Sequence, residues 1–76
     1  MNAHTYSFYH NLFKSLDSWG LTAIMHKGVM RVRCKNTSDE ISFIGAMSGH
    51  EVKRTGGNEK ESCFQIDGYA VILDYV

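Results

Sequence analysis

The chain is 76 residues long, 43% hydrophobic and 21% charged, with no proline, a composition that predicts one folded domain over 1–76 and excludes a disordered chain. Eight Lys/Arg balance eight Asp/Glu, which argues against binding driven by whole-domain charge, whether a basic grip on duplex DNA or an acidic mimic of it. Apolar runs fall far short of the roughly 20 residues of a membrane span, and the first residues lack the charged-then-apolar layout of a signal peptide, so a soluble cytoplasmic protein without membrane contact is expected.

From Thr5 to Trp19 the apolar residues recur at helical spacing. At 100° per residue, Phe8, Tyr9, Leu12, Phe13, Leu16 and Trp19 fall within an arc of about 140°, with His10, Asn11, Lys14 and Asp17 opposite. Thr5 is suited to cap the first turn, and Gly20 to end the helix in the left-handed conformation that other residues adopt only at a cost. No second helix is evident, so helix 5–19 must cover whatever sheet the remaining residues form.

After Gly20 the pattern turns to alternation. A first strand over 21–26 and a second over 29–35 are joined by Lys27-Gly28, a two-residue turn of the kind that needs positive φ. Asn36 to Glu40 reads as a polar turn leading to a third strand over 41–47, which extends to 54 if the chain bends at Gly45 or Gly49. On that reading residues 55–58 are a hairpin tip; otherwise 48–60 is a long loop. Strands over 61–66 and 69–75, joined by Asp67-Gly68, form the clearest hairpin, with Phe64 and Ile66 in phase with Val71 and Tyr69. The fold class is therefore α+β: one helix across a four- to five-stranded antiparallel meander.

No catalytic constellation emerges. The chain has no H-x-x-x-H, H-E-x-x-H, C-x-x-C, Walker A or dinucleotide-binding glycine fingerprint. His4, His10, His26 and His50 are scattered, and Cys34 and Cys63, on different strands, read as reduced thiols rather than a disulfide scaffold or a nucleophile in an electropositive pocket. Neither a metal, a cofactor nor an enzymatic activity is expected.

The informative surface is the sheet face that one helix cannot cover. The first turn sets Ile24 opposite Arg31 and Thr22 opposite Arg33; the turn at 36–40 sets Phe43 opposite Arg33 and Ile41 opposite Lys35. Ile24, Arg31, Arg33, Lys35, Ile41 and Phe43, joined by Val29 and Ile72, then form an open face of apolar residues around paired cations. Aromatic residues and arginine are the types enriched at protein interfaces. A second contact surface is the segment carrying His50, Lys53, Arg54 and Asn58, whose charges alternate and whose tip is glycine-rich.

These readings point to a protein partner. In size and neutrality, and in lacking catalytic motifs, the chain resembles in kind the accessory proteins of phages and other mobile elements, which inhibit a host protein, for example a defence protein, by occlusion. RNA or single-stranded nucleic acid stacked on Phe43 between the arginines is the second reading, disfavoured because one ring makes a poor stacking platform. A homodimer or structural subunit burying the same face is the third.

Overall fold

A computed structural model of the chain describes residues 2–76. The elements run α1 (Ala3–Ser18), β1 (Ala23–His26), β2 (Val29–Cys34), α2 (Thr37–Ala46), β3 (Val52–Gly57), β4 (Glu61–Ile66) and β5 (Tyr69–Tyr75). The five strands form one sheet in the order β1-β2-β5-β4-β3, antiparallel throughout except that β2 and β5 run parallel. The fold is α+β, with α1 packed on the sheet as expected.

Two hairpins match the sequence reading in detail. Lys27 and Gly28 have φ of 52° and 77°, Asp67 and Gly68 have 52° and 87°, the positive values of turns whose twist suits antiparallel strands. They set Ile24 opposite Arg31, and Phe64 and Ile66 opposite Val71 and Tyr69. The Arg33 N–H donates to the Thr22 carbonyl at 2.8 Å.

The segment 36–47 differs from expectation: it is a second helix, not a turn and a strand. Asn36 has extended backbone, and its Oδ1 accepts from the Asp39 N–H at 2.9 Å, a helix cap. Asp39 and Glu40 then lie in the first turn, at the positive end of the helix dipole, and the Asp39 carboxylate also accepts from the Lys35 N–H at 2.9 Å. Phe43, Ala46 and Met47, at the three- and four-residue spacing of a helix face, are buried. With 41–47 removed from the sheet, β2 takes β5 as its inner neighbour. The third strand lies further on, at Val52–Gly57, and makes the opposite edge with a bulge between Arg54 and Gly56.

Both helices cover one face of the sheet. Tyr9, Leu12 and Leu16 of α1 and Phe43 and Ala46 of α2 meet Ala23, Met30, Val32, Cys34, Ile66, Val71 and Leu73 in a single core. The start of α1 is fixed by Asn2, whose side chain accepts from the Thr5 N–H at 2.9 Å, so the helix begins before the expected cap Thr5. Gly20 ends it with φ of 79° as expected. Phe8 stacks on Tyr69 at 4.2 Å between ring centres, and the Tyr9 hydroxyl donates to the Ala70 carbonyl at 2.8 Å, fastening α1 to β5.

The segment before β3 is tied to the β4–β5 turn. Asp67 Oδ2 lies 2.6 Å from His50 Nδ1, and Oδ1 accepts from the Glu51 N–H at 2.8 Å. These partners, His50 first, hold the Asp67 carboxyl below its ordinary range.

Leu16→Ala should destabilise the protein by about 2–5 kcal/mol, the usual loss for a large-to-small core change, and Lys14→Ala, on the exposed arc, by less than about 0.5 kcal/mol; paired urea melts measure both, and equal losses would refute the assigned face. Because the folded Asp67 binds its proton more weakly than the unfolded one, its contribution to stability is fully present above the unfolded value of about 3.9 and is lost as pH falls through the lower folded value. Asp67→Asn keeps a residue that tolerates the turn's positive φ but removes the titration. Urea midpoints between about pH 2 and 6 should therefore fall less steeply with acid in this variant than in the wild type.

Candidate functional site

The outer sheet face carries Ile24, Val29, Arg31 and Arg33, with Ile72 and Asp74 across from the two arginines on β5. Arg31 is not a free cation: its Nη1 lies 2.8 Å from Asp74 Oδ1 and 3.8 Å from Glu61 Oε1. Arg33 is exposed and makes no ion pair among the described residues. Ile24 stays on this face, 54% exposed.

The remaining expected members are elsewhere. Phe43 is 1% exposed in the core, its ring 5.4 Å from that of Phe64, so it cannot pack on Arg33. Ile41 sits on α2, 65% exposed, in the helical layer rather than on the outer face. Lys35 follows β2 and belongs to the cap of α2 through its backbone. The cluster expected around two arginines is thus reduced to Ile24, Arg31 and Arg33, with one guanidinium neutralised.

The segment 50–60 is largely a strand rather than a contact loop. Lys53 and Arg54 lie on the edge strand β3. His50 is held by Asp67, and Asn58 Oδ1 accepts from the Lys60 and Glu61 N–H groups at 2.7 and 3.1 Å, closing the β3–β4 turn. Both polar side chains are occupied in holding the fold.

The two thiols face opposite ways. Cys34 is buried on the helix side, its Sγ 3.3 Å from the Asn36 carbonyl, whereas Cys63 is on the outer face 3.4 Å from Glu61 Oε2. Desolvation raises the pKa of each, which holds them as thiols at neutral pH. Among the described residues no three His, Cys, Asp or Glu side chains converge in a way that could hold a metal ion, and no helix is long and apolar enough to cross a membrane.

The exposed apolar surface lies instead on the helical layer, in two places. Trp19, 50% exposed, lays its indole over Gly45 of α2; a Cβ on that glycine would sit 2.7 Å from the ring. Ile41, one turn before Gly45, and Ile44, three residues from Ile41, are each 65% exposed, so α2 carries a ridge of two large apolar side chains whose Ile41 end lies one turn from the glycine beneath the indole. The second place is a groove of about 300 Å³ between α1 and the β1–β2 hairpin, lined by Tyr6, Tyr9, His10, Phe13, Met25 and Met30. The first of these places escaped the sequence reading because Trp19 falls on the core arc of α1. It is the C-cap, with φ of −96° and ψ of 5°, and leaves the helical register there. Ile41 and Ile44 become legible as an exposed pair only once Phe43, Ala46 and Met47 are recognised as a buried helix face.

Comparison of the chain with protein-family models, curated proteins and solved structures returns no match.

Proposed function

We propose that this chain is a non-catalytic protein-binding module that acts by covering part of another protein's surface through Trp19, Ile41 and Ile44. The observation that carries the reading is that three large apolar side chains, each at least half exposed, gather at one short helix: Ile41 and Ile44 are on α2, and Trp19 lies over its Gly45. Exposed apolar surface gathered in this way is costly to leave in water, and tryptophan is the type most enriched at interface centres. Gly45 leaves room for the indole to rest against α2, so a partner would meet a ring already held in place and little side-chain entropy would be lost on binding. Occlusion needs no chemistry from the module, in keeping with thiols whose pKa is raised by burial. Inhibition of a host protein by a phage or mobile-element accessory protein is one biological setting for such a mode of action.

A nucleic-acid role for the outer face would need an exposed ring beside free cations. Phe43 is in the core and Arg31 is paired with Asp74.

The test is capture of partners from the native cell by immobilised chain, with and without nuclease. Ile41→Glu/Ile44→Glu should reduce capture of a nuclease-resistant protein partner by more than about 30-fold, in the hot-spot range, with a stability change below about 1 kcal/mol because both side chains already face water. Trp19, the single tryptophan, should shift its emission to the blue when the partner binds. Undiminished capture by the double variant, or loss of the partner on nuclease treatment, would refute the reading.

A further inference from the structure

We infer that two copies of this chain associate through β1, joining their sheets edge to edge about a two-fold axis at Ile24. This surface is separate from the α2 ridge, so either reading can fail without the other.

The inference begins with the backbone. Thr22 is hydrogen-bonded to Arg33, and bonded and non-bonded pairs alternate along an antiparallel ladder. Ile24 with Arg31 is therefore a bonded pair, whereas Ala23 and Met25 turn their N–H and C=O groups away from β2. Because β1 is an edge strand, those groups face solvent. Edge strands are ordinarily protected by charges, bulges or cover. The opposite edge, β3, has such protection in Lys53, Arg54 and the bulge after Arg54. The strand Ala23-Ile24-Met25-His26 has no bulge and no Lys, Arg, Asp or Glu.

A second copy fits this edge by symmetry. With Ile24 on the axis, Ala23 of one copy pairs with Met25 of the other, and their outward N–H and C=O groups bond reciprocally on both sides of the axis. The two Ile24 side chains, more than half exposed in one copy, become a close non-bonded pair on the outer face. On the other face, Met25, Tyr6 and Phe13, all exposed, rim the apolar groove beside this edge.

Charge supports a second copy as the occupant. The last turn of α1 contains Asp17 and no basic residue, so the negative end of the helix lacks a compensating cation, and Asp17 makes no ion pair among the described residues. Asp17 is one turn beyond Phe13, on the groove side of α1. The Ile24-centred register sets Lys27 of the second copy opposite Leu21, just past the end of that helix, and supplies the missing charge twice, once on each side of the axis. Zero net charge leaves no long-range repulsion between copies.

The test is the mass of the full chain by sedimentation equilibrium between about 1 μM and 1 mM. The wild type should approach twice its mass of 8.6 kDa. Ile24→Lys, at an exposed position, should fold normally by circular dichroism but set two ammonium groups against each other at the axis, weakening association by more than about 100-fold. Asp17→Lys should weaken it about fivefold at low salt, and Asp17→Lys/Lys27→Asp should restore it. A wild type that stays monomeric throughout, an Ile24→Lys variant that dimerises as well as the wild type, or a charge exchange that fails to restore association would each overturn the inference.

Discussion

The parallel pairing of β2 with β5 is the constraint on which the rest of the structure depends. Two parallel strands cannot be joined by a tight turn; the chain must leave the end of one and return to the start of the other. Here α2 and the β3–β4 hairpin make that journey. The pairing puts Met30, Val32 and Cys34 beside Val71, Leu73 and Tyr75 and so joins the first hairpin to the last three strands in one continuous apolar face. The connection carries α2 on that face, where Phe43 becomes a central core residue.

Two helices over one face change what α1 must do. A lone helix would need its whole apolar arc to cover the sheet. Beside α2, only Tyr9, Leu12 and Leu16 are buried from α1, with Phe8 packed against the core. Phe13, at one margin of the arc, is left half exposed toward the β1 edge, and Trp19, the C-cap, leaves the helical register and lies half exposed over Gly45. The exposed apolar surface of the helical layer thus has two sources: side chains of α1 that the core does not take up, and Ile41 and Ile44, turned away from the buried face of α2.

How much was legible in the sequence follows from which signals were local. Lys27-Gly28 and Asp67-Gly68 specify their turns within four residues, and both hairpins read correctly down to cross-strand neighbours. Asn36-Thr37-Ser38-Asp39-Glu40 was ambiguous for a physical reason. Asn, Ser and Asp hydrogen-bond to nearby backbone in turns and at helix caps alike, so the same residues start either structure. Ile41-Ser42-Phe43 then imitates strand alternation, while the helical triplet Phe43, Ala46 and Met47 comes too late in the segment to dominate it. A strand at 41–47 would put Phe43 and Ile41 on the outer face. A strand there places the ring in the arginine cluster and hides the ridge on α2, whereas the helix carries the ring into the core. Even with α2 recognised as a helix, the tie between Arg31 and Asp74 depends on a parallel pairing between segments about 40 residues apart, which periodicity alone does not reveal.

The outer face illustrates how a sheet can leave one side uncovered without offering it as an interface. Arg31 sits between Asp74 and Glu61, and its aliphatic stem lies beside Ile24 and Ile72, its neighbours across the ladder. A partner docking there would have to desolvate a partly exposed ion pair, a cost that the pair's own attraction does not readily offset. No such cost attaches to Trp19, Ile41 and Ile44, or to the uncharged edge of β1. The helical ridge and the strand edge are therefore the surfaces on which association releases water from apolar atoms without breaking a bond the folded chain already makes.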